Sequence, residues 1–105
     1  DYTFSPIYTI YLGEIIMRLV DMGFTGVINV GSPIQCSKYD FGQHMAEIFG
    51  FDQSLISRGS IKEHSFIAKR CAKLDLNCDR LIKMKMDIPT WRQSILRFSD
   101  ESKRI

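Results

Sequence analysis

The sequence predicts an α/β fold that is mostly helical, with one or two short strands, and three patterns lead to this prediction. Apolar residues recur at helical spacing from Leu12 to Val20, a short β-branched run lies at residues 26–30, and two helix-capping signals follow near the C-terminus. The chain has 105 residues, of which 45% are hydrophobic and 25% are charged. Because this length suffices for one hydrophobic core, we expect a single domain.

The first helix is predicted from about Tyr11 to Met22, and a strand is predicted soon after it. Gly23 stands where a left-handed residue would end the helix. The run Gly26-Val-Ile-Asn-Val30 is predicted to be a buried strand. Since one or two strands do not form a stable sheet, we expect this strand to join a sheet whose other strands lie outside this sequence. The apolar stripe of the helix comprises Leu12, Ile15, Ile16, Leu19 and Val20.

The second helix is predicted to begin after Ser37, whose hydroxyl can cap it with Asp40 at the third position, and to end at Gly50. Beyond it, Leu55-Ile56 is expected to be a short extended piece that leads into an irregular basic stretch. The apolar face of this helix comprises Phe41, Met45, Ile48 and Phe49.

Two more helices are predicted near the C-terminus. Asn77 is the expected N-cap of a short one, which Asp87-Ile-Pro89 would stop because proline breaks a helix. Thr90 and Gln93 form a capping box that begins the other. The polar tail over residues 100–105 is expected to be frayed. The apolar positions are Leu81, Ile82 and Met84 in the first of these helices and Trp91, Ile95 and Phe98 in the second.

The net charge of +2 conceals an asymmetry, because residues 1–57 carry −4 and residues 58–105 carry +6. A basic half can bind nucleic acid or a phosphorylated small molecule, but charge count alone favours solvated helix faces. Within it, Lys69, Arg70 and Lys73 form the most suggestive cluster. An arginine fork can hold a diphosphate through two parallel hydrogen bonds, and a solvated loop is an equally good interpretation.

Several kinds of chemistry lack their sequence signature here. No two glycines stand two apart, as the first pair of G-x-G-x-x-G requires, no G-K-[ST] occurs, and no tyrosine is followed four residues later by lysine. We therefore assign no catalytic and no cofactor-binding residue to this chain. The spacing of His64, Cys71 and Cys78 matches no tight zinc pattern, so no metal site is predicted. His44 is expected to be a partly exposed side chain rather than a catalytic base.

Three sequence features predict a cytoplasmic protein that does not enter a membrane. Cys36, Cys71 and Cys78 are odd in number and form no C-x-x-C pair, which favours free thiols in a reducing compartment. No apolar run approaches the roughly 18 residues of a membrane span. No signal peptide is visible, and because the first residue is Asp1 we expect an excerpt of a longer protein.

Short segments over nearly the whole chain occur in an order typical of one enzyme family. The most specific of them runs from Ser37 to Gly50. The others are Phe4-Ser-Pro-Ile-Tyr8, Gly26-Val-Ile-Asn-Val-Gly31, Ser54-Leu-Ile56, Lys69-Arg70 and Pro89-Thr-Trp91. Together they resemble the C-terminal third of the dTDP-4-dehydrorhamnose reductase family, sugar-nucleotide enzymes of the extended short-chain dehydrogenase/reductase class.

The resemblance implies that residues 1–105 are the C-terminal substrate-binding domain of an extended Rossmann-type reductase, without its N-terminal dinucleotide-binding domain. The complete enzyme would reduce a 4-keto sugar nucleotide with NADPH or NADH in deoxysugar synthesis for polysaccharide. This chain alone would be inactive. Its partners would be the nucleotide-sugar substrate and the N-terminal domain, and a homodimer is compatible with the resemblance. In related epimerases the arginine at the position of Arg70 meets the diphosphate, so Arg70 is the candidate substrate-binding residue; Cys71 follows it where proline is usual.

Two alternative functions stay open. A non-catalytic relative serves as a regulatory subunit of methionine adenosyltransferase, and a glycine-rich loop with a Tyr-x-x-x-Lys in the upstream reading frame would favour the enzyme over the regulator. A basic module that binds nucleic acid through residues 58–105 ranks last. Its aromatic residues do not alternate with basic ones in a recognisable module, so we predict no nucleic-acid partner.

Overall fold

The computed structural model describes residues 2–63 and 65–103, which form a small mixed α/β structure that is mostly helical. The predicted α/β class is therefore confirmed at this level. Two 3-10 turns span Gln53–Leu55 and Ile61–Glu63. The helices are α1 (Thr9–Asp21), α2 (Lys38–Phe49), α3 (Asp79–Lys83) and α4 (Trp91–Ser102), and the strands are β1 (Thr3–Phe4), β2 (Cys36–Ser37) and β3 (Lys73–Leu74).

The three strands form one sheet in the order β2-β1-β3. β1 pairs antiparallel with β2, with Thr3 opposite Ser37, and parallel with β3, with Thr3 opposite Lys73. None of these strands lies where the sequence predicts one. Since each has only two residues, the sheet serves mainly to bring three distant segments of the chain side by side.

The run of residues 26–30, predicted to be a buried strand of a sheet that lies outside this sequence, forms no strand within the described residues. No residue of this run belongs to the sheet, and the Val27 side chain is 82% exposed. Ile28 and Val30 do pack against the core, so the alternation of a strand is present. The carbonyl of Val27 accepts a hydrogen bond from Arg80 Nη1 at 2.7 Å instead of from a neighbouring strand. Alternating apolar and polar residues in a sequence indicate which side chains are buried, but they do not indicate whether a partner strand exists.

α1 confirms the first predicted helix and its end. Gly23 adopts a φ of +70°, and its N–H donates to the carbonyl of Val20 at 3.0 Å, as in a left-handed cap. Ile15 and Leu19 are buried, whereas Ile16 and Val20 are exposed. Fewer side chains of α1 are therefore buried than the sequence predicts, because only one edge of the predicted apolar stripe packs against the rest of the chain.

α2 also begins and ends as predicted. The Ser37 hydroxyl accepts a hydrogen bond from the Asp40 N–H at 3.0 Å, and Gly50 closes the helix with a φ of +75°. The prediction of an extended piece at Leu55-Ile56 is wrong at Leu55, because this residue belongs to a 3-10 turn that the Asp52 side chain caps.

α3 is displaced by one residue from its predicted cap. Cys78 occupies the N-cap position, while Asn77 Oδ1 accepts a hydrogen bond from the Asp79 N–H at 2.9 Å. The helix ends at Lys83, well before the predicted proline stop. The chain turns there because Lys85 adopts a φ of +58°, which no helix continues.

α4 begins with the predicted capping box. Thr90 Oγ1 accepts from the Gln93 N–H at 3.2 Å, and Gln93 Oε1 accepts from the Thr90 N–H at 2.8 Å. The frayed tail is wrong for residues 100–102, because the helix continues to Ser102. Residues 104–105 lie outside the described residues.

Two apolar clusters form the core. The first joins α1 to α3 and is centred on Leu81, whose exposure is 0%. The second joins β2, α2 and α4 and is centred on Trp91. The fully buried members are Ile15, Leu19 and Leu81 in the first and Cys36, Trp91 and Ile95 in the second.

Ser32 connects the start of α4 to the segments around the sheet. Its side chain is 1% exposed, and its hydroxyl accepts from the Trp91 N–H at 3.1 Å and donates to the carbonyl of Ile34 at 2.7 Å. Its own N–H donates to the carbonyl of Ser5 at 3.3 Å. The neighbouring Gly31 has no room for a side chain, because a Cβ would come within 2.8 Å of that Ser5 oxygen.

We predict that Ser32→Ala lowers the free energy of unfolding by about 1–3 kcal/mol, because it leaves the buried Trp91 N–H without an acceptor. Urea unfolding followed by the fluorescence of Trp91, the single tryptophan, measures this. The matched control is Ser57→Ala at an exposed position, which should change the free energy by less than about 0.5 kcal/mol. Equal stabilities of the two variants would show that the Ser32 hydroxyl does not hold α4.

Candidate functional site

Arg70, the predicted substrate-binding residue, lies on the surface in the loop that leads into β3. Its guanidinium carbon is 4.4 Å from the centroid of the Phe66 ring, so the face of the ring positions the cation. Lys69 and Lys73, predicted alongside it, are also exposed. The structure thus leaves this basic cluster accessible to a ligand.

Lys38 and Arg58 are two further exposed cations that each lie over an aromatic ring, and no sequence motif marks them. The Lys38 ammonium nitrogen is 5.3 Å from the centroid of the Tyr2 ring, and the Arg58 guanidinium carbon is 4.7 Å from that of Tyr39. One signal was present, since Lys38 is one of only two basic residues within residues 1–57. Whether Lys38 lies near Arg70 depends on the order of the strands in the sheet, which the sequence does not reveal.

A polar cavity of about 350 Å³ lies between α2 and the start of α4. His44 is half-buried beside it, with Nδ1 3.8 Å from a carboxylate oxygen of Glu47 and its ring edge-on to Trp91 at a centroid separation of 5.6 Å. His44 is thus partly exposed, as predicted. Trp91 is 3% exposed, which confirms its predicted place in the core and prevents it from stacking on a ligand. The other lining residues are Tyr39, Asp40, Gln43, Gln53 and Arg92.

A second cavity of about 350 Å³ is mainly apolar and lies where the start of α1 meets α2 and α4. Phe98, predicted to face the core, is instead 40% exposed at its rim. The reason is that its aromatic partners lie near the surface, with the rings of Tyr8 and Phe49 at centroid distances of 5.5 and 5.6 Å. This cavity presents no charged side chain among its lining residues in the described part of the chain.

Arg97 ties α4 to α1 through a charged network. Its two terminal nitrogens donate to the Glu14 carboxylate at 2.9 and 2.7 Å, its Nε donates to Glu101 at 2.5 Å, and its plane lies 4.5 Å from the Tyr11 centroid. The hydrogen bonds from Arg97 hold the pKa of Glu14 below its usual value, and both carboxylates raise the pKa of Arg97. Partial burial, followed by the Glu101 carboxylate, raises the pKa of Tyr8. Arg97 is fully engaged here and is not a ligand-binding candidate.

All three cysteines are free thiols, as predicted. Burial, with a smaller contribution from the Asp40 carboxylate, raises the pKa of Cys36 to about 11. Burial also raises the pKa of Cys78, so neither buried thiol ionises at neutral pH. Cys71 is exposed, and its thiol donates to the carbonyl of Lys73 at 3.0 Å.

Within residues 2–63 and 65–103, no group of three His, Cys, Asp or Glu side chains is placed to hold a metal ion. His64, which the sequence analysis considered with two cysteines, lies outside the described residues. In the same ranges no helix has the length and apolar character needed to cross a bilayer. Gly23 and Gly50 serve as helix caps, and no two glycines of the sequence stand two apart, as the first pair of a dinucleotide-binding loop does.

No protein-family model matches the sequence, and neither does any curated protein or solved structure. The site is therefore defined by this chain's own residues, above all by Arg70 and the neighbouring cations Lys38 and Arg58. Their exposure and common sign of charge favour an anionic ligand.

We predict that Glu14→Gln destabilises the fold at neutral pH and has no effect in acid. The usual pKa of this carboxyl is 4.5, and its folded pKa is lower. The ion pair with Arg97 therefore stabilises the fold above the usual pKa, and this stabilisation is lost as the pH falls through the folded pKa. Urea midpoints of the variant and the unaltered chain should differ at neutral pH and converge in acid, once the pH lies below the folded pKa of Glu14.

The control for this measurement is Glu63→Gln, which removes an exposed carboxylate outside the Arg97 network. Its urea midpoint should follow that of the unaltered chain at both pH values. If Glu14→Gln and Glu63→Gln behave alike, the Glu14 ion pair does not hold α1 against α4.

Proposed function

We propose that this chain is the sugar-nucleotide-binding region of an NAD(P)H-dependent reductase similar to the dTDP-4-dehydrorhamnose reductases. The observation that carries the proposal is the exposed guanidinium of Arg70, which lies against the Phe66 ring and forms no ion pair within the described residues. A guanidinium presented in this way can donate two parallel hydrogen bonds to a diphosphate. Arg70 is also the residue that the family resemblance assigns to this role.

In this proposal the chain binds and orients the substrate, and the hydride transfer takes place on residues upstream. NADPH or NADH, bound by an N-terminal dinucleotide-binding domain, supplies the hydride. No step of the reduction is assigned to the residues of this chain, since the cofactor is proposed to bind to the N-terminal domain. Arg70 contributes binding energy and fixes the position of the nucleotide sugar through its diphosphate.

Exposed apolar surface on α1 and after it supports the packing of another domain against this chain. Met17 and Val20 are more than half exposed, and Val27 is 82% exposed. The segment of Val27 to Val30 has the side-chain alternation of a strand and pairs with no strand among the described residues. In the proposed protein an upstream sheet pairs with this segment and covers these side chains.

We predict that Arg70→Ala weakens the binding of dTDP-glucose by about tenfold or more, because it removes a charge-assisted, two-pronged contact. The measurement is calorimetric titration of the protein expressed from its complete reading frame. The affinity for NADPH should change by less than about twofold, since the cofactor is proposed to bind elsewhere.

Arg18→Ala is the matched control, because it removes an equally exposed guanidinium from α1. It should leave the dTDP-glucose affinity unchanged. The proposal is wrong if Arg70→Ala and Arg18→Ala bind dTDP-glucose with the same affinity as the unaltered protein.

A further inference from the structure

The sheet brings Lys38 to the end of the fold at which Arg70 lies. β1 pairs with both other strands, so the start of β1, the end of β2 and the start of β3 lie side by side. Lys38 directly follows β2, and its N–H donates to the carbonyl of Tyr2 at 3.3 Å. On the other side of β1, the Thr3 N–H donates at 2.9 Å to the carbonyl of Ala72, two residues after Arg70.

Arg58 is held against the start of the same helix, α2. Gln43 Nε2 donates to the carbonyl of Ile56 at 3.1 Å and thereby fixes the loop before Arg58 to α2. The Ile56 side chain packs beside Gly42, where a Cβ would be in van der Waals contact with it at 3.4 Å. The guanidinium of Arg58 then lies over the ring of Tyr39, the residue that follows Lys38.

The three cations are positioned in a way that leaves their donors available. Lys38, Arg58 and Arg70 each lie over an aromatic ring, which attracts a cation through its face. The ring accepts none of the in-plane N–H bonds of the two guanidinium groups, and the Lys38 ammonium has three donors that can rotate away from it. None of the three forms an ion pair in the described part of the chain, and the nearby Asp40 lines the polar cavity instead. Lys38 lies in the first turn of α2, where the helix macrodipole disfavours a positive charge. The lysine at this position therefore does not stabilise the helix.

We infer that Lys38 and Arg58 hold the same diphosphate as Arg70, an inference that rests on the proposed function. Arg58 and Arg70 supply planar donor forks, and Lys38 supplies a compact charge with rotatable donors. The three side chains come from three separate segments of the chain. A ligand that bridges them must present anionic oxygens on more than one centre, as a diphosphate does. The N–H groups of Lys38 and Asp40 at the start of α2 are already bonded to the Tyr2 carbonyl and the Ser37 hydroxyl, so the inferred site is assigned to side chains.

The test titrates inorganic pyrophosphate and dTDP-glucose into the protein expressed from its complete reading frame. Lys38→Gln and Arg58→Gln should each weaken the binding of both probes about three- to tenfold. Lys38→Arg keeps the positive charge, and its affinity for each probe should be within about twofold of that of the unaltered protein. This variant therefore separates the effect of the charge from any effect of the substitution on folding. Lys83→Gln, at an exposed position on α3, is the control and should change neither affinity.

Two results separate this inference from the proposed function. In one outcome, Arg70→Ala abolishes dTDP-glucose binding while Lys38→Gln and Arg58→Gln keep the affinities of the unaltered protein. In that case the inference is wrong and the proposed function stands. If Lys38→Gln and Arg58→Gln weaken pyrophosphate binding but dTDP-glucose binds no more tightly than pyrophosphate, the anion site stands and the sugar-nucleotide function is wrong. Absence of binding by both probes to the unaltered protein contradicts both.

Discussion

The hydrogen bond from the Trp91 N–H to the buried hydroxyl of Ser32 is the contact on which the rest of the structure depends. The first N–H groups of a helix have no partner within the helix, and a buried one is costly unless another group accepts from it. Ser32 meets this requirement for α4 and at the same time bonds to Ser5 and Ile34. One residue thereby joins the start of α4 to the segment after β1, through its backbone N–H, and to the segment before β2, through its hydroxyl.

The candidate site follows from this anchoring. A chain fixed at Ser32 runs directly into β2, which pairs with β1 and ends at the start of α2. β1 in turn pairs with β3, so Lys38 and the loop of Arg70 reach the same end of the sheet although they are far apart in sequence. A hydrogen bond from the Gln43 side chain to the carbonyl of Ile56 holds the loop before Arg58 against α2. Arg58 and Arg70, from the basic C-terminal half, thus lie in loops that are bonded to α2 and to β1, and both are exposed.

The sequence predicted those features that depend on neighbours within one helical turn. The caps at Ser37 and Thr90 are correct because each cap hydroxyl accepts from an N–H three residues further along. The run of residues 26–30 forms no strand among the described residues, and the two-residue strands that do form lie where no local pattern predicts them, because strand pairing depends on residues far apart in sequence. Arg70 was identified through a family resemblance, whereas Lys38 became a candidate only through the sheet order and its ring contact.

The central claim is that the end of the sheet beside α2 holds a diphosphate. A crystal structure of the protein expressed from its complete reading frame, with dTDP-glucose bound, tests it most directly. The claim predicts diphosphate oxygens within hydrogen-bond distance, about 2.7–3.2 Å, of donors on Arg70 and Lys38. A diphosphate bound in the polar cavity beside His44, with Arg70 and Lys38 both in solvent, would contradict it.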